Sequence, residues 1–320
     1  MTNPTPKFNT ALIRCAISIA IAVLVLVLIV LFRPSSQAGV PESRFWLNKF
    51  HNQYDVVLAG DSRVLFGLSS QPFDDLKIGS ALNFGFKGAG LNAEFVDAAT
   101  ARLKTSGPRV LVFGITPNTF TPNAHASSGF TKYSKLAESE FLEMPNWYYG
   151  IQSRLRPASL VEILRIARGR TDSHVETFHQ DGWVSVASKH PDETYALPFY
   201  RVQFKENKVK QEFMDSLVAM VEECCSDGIH VFGFKPPITD AMNEIESAVS
   251  GFEYDSYIVE FENAGGVWLS PDVTDCITYD GSHLDGKSAL VFSQRIAELV
   301  QKTLVGRAGA GEHRIIDQRR

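Results

Sequence analysis

The chain has 320 residues, 44% hydrophobic and 21% charged, which is globular composition with enough apolar material for one large core or two small ones. Its net charge of −5 and pI near 5.9 supply no basic face or stripe, which excludes nucleic acid as a partner. Near the N-terminus, Cys15 to Phe32 (CAISIAIAVLVLVLIVLF) carries no charge at all. At about 1.5 Å per residue this run spans ~27 Å, close to the ~30 Å hydrocarbon core of a bilayer. Extending it back to Ala11 lets Arg14 reach the headgroups, so residues 11–32 are expected to form an uncleaved single-pass membrane anchor. The flanking charges do not fix its orientation, because Lys7 and Arg14 precede the span and Arg33, Arg44 and Lys49 follow it. Cysteine is equally silent: Cys224 and Cys225 are adjacent, which leaves Cys276 as the one possible partner elsewhere in the soluble part.

After a linker at 33–42, Ser43–Asn52 reads as a first helix. Short apolar runs bounded by Gly, Pro or Asp then follow at Asp55–Gly60, Ala81–Phe86, Arg109–Ile115 and Ile229–Phe234, with Val267–Leu269 a candidate fifth. Continuous hydrophobicity fits strands covered on both faces, as in a parallel sheet. Helical spacing appears between and after them, in Phe213, Leu217, Met220, Val221 and Cys224, and in Ala289, Phe292, Ile296, Leu299 and Val300. The alternation predicts an α/β fold, a doubly wound parallel sheet in three flavodoxin-like layers, with ligands at the carboxyl ends of the strands. The expected organisation is a tail at 1–10, the anchor at 11–32, linker and first helix at 33–52, the α/β domain at 53–305 and a flexible polar tail at 306–320.

An aromatic, irregular stretch at about 121–201 breaks the alternation and is expected to form a helical cap or a subdomain inserted in the domain. Its Trp147, Tyr148, Tyr149, Phe178, Trp183, Phe199 and Tyr200 suit either the core of the cap or the lining of a sugar or acyl site.

Two loops carry chemistry. Gly60-Asp61-Ser62-Arg63 directly follows the first strand of the sheet, where a serine is presented at the sheet's mouth and becomes a nucleophile if a base lies in reach; a helix cap is the alternative role. Asp280-Gly281-Ser282-His283 leads into the C-terminal helix. There Asp280 can fix the His283 tautomer and leave the far ring nitrogen to take a proton from serine. No His/Cys/Asp cluster at ligand spacing suggests a metal, and no cofactor is called for.

Together these loops resemble the SGNH (GDSL-type) hydrolase superfamily over about Tyr54–Asn118 and Ile229–Val300, with the middle unmatched. The resemblance implies Ser62, Asp280 and His283 as the catalytic residues. It also implies an oxyanion hole from the Ser62 N–H, the Gly88 N–H in ALNFGFKGAG and the Asn118 side chain in VLVFGITPN. Gly85 and Gly90 compete with Gly88 for that place, and Asp61 is expected to bond loop amides. The chain departs from the common signature in two places: Arg63 replaces leucine, and Gly-Ile-Thr-Pro-Asn replaces Gly-x-Asn. The implied activity is acyl-ester hydrolysis or O-acyl transfer at the cell envelope, on an acylated carbohydrate or other acyl ester. It resembles envelope polysaccharide O-acyl esterases and transferases, whose likeness places the catalytic domain outside the cytoplasmic membrane beside polysaccharide machinery. A non-catalytic polysaccharide-binding or envelope-assembly protein on the same fold is the alternative.

Overall fold

The structure, a computed structural model, describes residues 7–31, 37–40, 42–138 and 174–317, with side chains at 12–25, 39–40, 45–135 and 174–306. The chain divides into two units. The first is described only through helix α1 (Lys7–Leu31), which takes in most of the apolar run. Among the described residues no helix is long and apolar enough to cross a membrane.

The second unit begins with a short strand β1 (Gln37–Gly39) and helix α2 (Glu42–His51). It continues through β2 (Val56–Gly60), α3 (Ser62–Gly67), α4 (Gln71–Asp75), β3 (Ala81–Gly85), α5 (Ala93–Thr100) and β4 (Val110–Gly114). A 3₁₀ turn (Pro117–Phe120) and helices α6 (Pro122–Ala126) and α7 (Gly129–Glu138) lead to the end of this half. The second half holds β5 (His174–Phe178), β6 (Val184–Ser188), α8 (Leu197–Glu206), α9 (Gln211–Ser226) and β7 (His230–Phe234). It closes with α10 (Asp240–Ile245), a π-helical turn (Glu246–Ser250), α11 (Tyr254–Asn263), β8 (Val267–Leu269) and α12 (Gly286–Asp317).

Five strands form the central sheet in the order β3-β2-β4-β7-β8, every neighbouring pair parallel. Counted within this sheet the order is second-first-third-fourth-fifth, the flavodoxin-like winding, whose switch point lies beside β2. Strands β2, β3 and β4 are buried at every residue, so side chains pack on both faces. On one face Val57, Ala59, Phe84 and Phe113 meet Phe95, Leu217, Val221 and Phe261. On the other, Val56, Leu58, Val112 and Phe232 meet Val64, Phe73, Phe292 and Ile296. Each fully buried Val, Leu, Ile or Phe contributes roughly 1.5–3 kcal/mol, and the two cores fix the helices as outer layers.

Within the stretch at 121–201 the described residues include strands as well as helices, and residues 139–173 lie outside the described residues. Helices α6 and α7 are followed, among the described residues, by an antiparallel pair β5–β6 on which β1 lies parallel. The segments HVETF and VSVAS alternate their β-branched residues with period two, and Gly182 takes the turn between them at φ +86. Trp147, Tyr148 and Tyr149 lie outside the described residues. Phe178, Trp183 and Tyr200 are buried and Phe199 is exposed. Part of the linker forms β1, and helix α12 runs through the segment read as a flexible tail to Asp317.

Candidate active site

Strands β2, β3 and β4 each end in glycine, and the register sets Gly85 and Gly114 directly against Gly60. The glycines are there for space. A Cβ on Gly60 or Gly114 would collide with Val64, and one on Gly85 with the Leu65 backbone. Helix α3 can therefore lie on the strand ends, with Ser62 as its first residue. Asp61 caps it, accepting the Arg63 N–H at 2.9 Å. The other Asp61 oxygen accepts the Thr116 hydroxyl at 2.7 Å, which joins this loop to the one after β4. At the far end of the helix, buried Asn83 of β3 donates to the Val64 and Leu68 carbonyls, both at 2.7 Å, and accepts the Gly85 N–H at 2.9 Å. Buried Lys49 of α2 closes this group by donating to the Asn83 carbonyl at 2.7 Å and the Gly85 carbonyl at 2.9 Å.

Ser62 and His283 stand more than two hundred residues apart in sequence, yet His283 Nε2 lies 2.8 Å from Ser62 Oγ. Its Nδ1 lies 2.8 Å from Asp280 Oδ2. The second Asp280 oxygen accepts the N–H of Ser282 at 2.9 Å and of His283 at 2.8 Å, so the carboxylate is held in one orientation. Burial pushes the Asp280 carboxyl up, but its bonds to the His283 ring and those two N–H groups hold it below its usual range. Phe66 meets the imidazole edge-on at 5.3 Å and Tyr279 stacks on it at 5.8 Å, which restricts the ring's rotation. This geometry can move a proton from Ser62 to Nε2 while Asp280 stabilises the resulting imidazolium.

The three expected oxyanion donors all lie in loops at the carboxyl ends of adjacent strands β2, β3 and β4. Ser62, first in its helix, has no intrahelical acceptor for its N–H and no backbone partner among the described residues. Gly88 sits in the turn after β3 at φ +67 with open space where a side chain would point; its N–H, too, has no backbone partner there. Its competitors serve packing instead: a Cβ on Gly85 would meet Leu65, and one on Gly90 would meet Ala124. Asn118 lies in the 3₁₀ turn after β4 and accepts Gln203 Nε2 on its amide oxygen. Its Nδ2 is thereby left as the free donor. Gln203 carried no signal in the sequence, since it comes from α8 in the unmatched middle. Thr116, a single polar residue beside an apolar strand, carried none either. Among the described residues, no group of three or more His, Cys, Asp or Glu could hold a metal ion.

A second serine–histidine contact differs in kind. His179 Nε2 lies 2.8 Å from Ser185 Oγ in a groove of about 760 Å³ that Ser62 and His283 do not line. Its ring stacks on Trp183 at 4.4 Å, and nearby Asp181 spends its oxygens on Ser70 and the Trp183 N–H. Among the described residues no carboxylate bonds the other nitrogen, and burial outweighs the attraction of Asp181 and lowers the His179 pKa, which disfavours an imidazolium here.

No family model matches the sequence, and no curated protein is similar to it. Among solved structures the chain is similar to Est24, a carbohydrate acetylesterase from Sinorhizobium meliloti, at 10% identity and a TM-score of 0.37, over 78% of this chain and 99% of that one.

Proposed function

We propose that this protein is a serine-dependent acyl-ester hydrolase or O-acyltransferase of the SGNH type, working on an acylated carbohydrate at the cell envelope. The observation that carries this reading is the continuous hydrogen-bond line from Ser62 through His283 to Asp280, 2.8 Å at each step. Ser62 Oγ attacks the ester carbonyl carbon as its proton passes to His283 Nε2. The Ser62 N–H, the Gly88 N–H and Asn118 Nδ2 hold the negative oxygen of the tetrahedral intermediate. Collapse breaks the bond to the leaving alcohol, which takes the proton back from His283 and leaves an acyl-Ser62 ester. Water, deprotonated by His283, then releases the acid in a hydrolase; a sugar hydroxyl in that place makes a new ester in a transferase.

We further propose residues 11–32 as a single-pass anchor that keeps the catalytic unit beside the membrane, with that unit outside it. The apolar, charge-free run from Cys15 to Phe32 supports the anchor, and the resemblance to envelope enzymes is the ground for the side proposed.

The test is turnover by the full-length protein in detergent, with p-nitrophenyl acetate and an acetylated polysaccharide as substrates. The reading expects acetate release, or acetyl transfer to added sugar acceptor, that disappears in Ser62→Ala. Glycan binding that persists in Ser62→Ala, with no turnover by the native protein, would instead establish the non-catalytic alternative.

A further inference from the structure

Arg63 directly follows the nucleophile, at the place where the common signature has leucine. Its guanidinium is buried, with 2% of the side chain exposed, and is paired to Glu246, 1% exposed, at the start of the π-helical turn. Such a pair is a poor device for stability alone. Desolvating two ions cancels much of their attraction, and a well-packed apolar pair of similar volume is commonly as stable or more so. Here the balance is worse, because Arg63 Nη1 and Glu246 Oε2 are buried with no hydrogen-bond partner among the described residues. Each such orphan has given up water without gaining a partner, which is unfavourable.

What the guanidinium does achieve is a link between the two catalytic loops. Arg63 Nε donates to Ser282 Oγ at 3.0 Å. Arg63 follows Ser62 directly and Ser282 precedes His283 directly, so a single hydrogen bond spans the two loops one residue away from the reacting pair. Ser282 is fixed in turn: its N–H goes to Asp280 Oδ1 at 2.9 Å and its hydroxyl donates to the Tyr200 oxygen at 3.2 Å. The Tyr200 ring lies under the guanidinium at 5.4 Å. Glu246 holds the far side of the guanidinium, leaving Nε aimed at Ser282. Burial works to lower the Arg63 pKa, but Glu246, and after it Tyr200 and Asp61, raise it above its usual value, so the group stays charged.

We infer that Arg63 is a positioning residue that sets the Ser62–His283 alignment through Ser282, with Glu246 as its anchor. This rests on the Ser62–His283–Asp280 reading above. Arg63→Lys keeps a positive charge for Glu246 and loses the planar Nε–H. Ser282→Ala leaves the ion pair intact and removes the acceptor of Arg63 Nε together with the hydroxyl that donates to Tyr200. Both variants and their double would be labelled with a fluorophosphonate probe across a pH series. In this reaction Ser62 Oγ bonds to phosphorus, fluoride leaves and His283 takes the proton.

Each single variant is expected to lower the labelling rate constant by about 10–100-fold, the scale of a misplacement of about 1 Å. The labelled fraction at completion and the pH midpoint should stay as in the wild type, and the double variant should be no slower than the worse single. A role in folding alone would lower the labelled fraction and spare the rate constant. Wild-type rates in both variants, or losses that multiply in the double, would overturn the inference while leaving the site reading intact. A wild-type protein that takes up no label would overturn both.

Discussion

Replacing Asp280 by asparagine tests the roles within the site at almost no steric cost. One Asp280 oxygen accepts two backbone N–H groups, from Ser282 at 2.9 Å and His283 at 2.8 Å. An asparagine must keep its carbonyl oxygen there, because turning the NH₂ toward two donors would break both bonds. The NH₂ then faces His283 Nδ1, 2.8 Å away, and can only donate to it. This forces the ring proton onto Nε2, so the nitrogen beside Ser62 can no longer accept a proton. The negative charge that stabilises the imidazolium is lost as well. The comparable exchange in serine proteases, an established example of this chemistry, lowers kcat by about 10⁴-fold. At about 1.36 kcal/mol per decade that is about 5.4 kcal/mol of transition-state stabilisation. The assay is kcat for p-nitrophenyl acetate beside a thermal melt, and the melt should show a folded protein. A loss smaller than about tenfold in a folded variant would refute the roles given to Asp280 and His283.

Asn118→Ala is expected to lower kcat by about 10²–10³-fold with KM little changed, as for loss of one oxyanion donor. Gln203→Ala should cause a smaller fall of the same kind by freeing the Asn118 amide to turn; steady-state kinetics of the two variants check this order. Gly114→Ala puts a methyl group into Val64 and the Phe234 ring, which should cost about 1–3 kcal/mol of stability, read as a lower urea midpoint. Lys49 gives a pH signature. Burial lowers its pKa well below the usual value and Asp181 only partly offsets this. Between its folded pKa and the unfolded value of about 10.4, the unfolded chain holds a proton that the folded protein lacks. Stability should therefore rise with pH through that window, and Lys49→Met should flatten the rise in urea melts at pH 7 and pH 9.5.

Much of the sheet was legible because its strands are buried on both faces. Runs such as VVLAG and VLVFG have no alternation to confuse, and the structure places all five within a residue or two of the expected bounds. The pair HVETF and VSVAS was missed because each shows only two alternating β-branched positions inside a long aromatic stretch, where length argued for helices. Ser62, Asp280 and His283 could be singled out because each loop holds its functional residues close together behind a strand or before a helix. The supports could not be read in the same way. Arg63 and Glu246 stand 183 positions apart, and Gln203 and Asn118 stand 85 apart, so nothing local marks them as partners. The glycine row was visible letter by letter, but its purpose depends on the register that aligns Gly85, Gly60 and Gly114.

The central claim is that Ser62 is a nucleophile driven by His283, and the most direct measurement is to map where a fluorophosphonate bonds to the full-length protein. Mass spectrometry of the labelled digest should find the adduct on Ser62, with labelling lost in both Ser62→Ala and His283→Ala. An adduct on another residue, or labelling unchanged in both variants, would contradict the account.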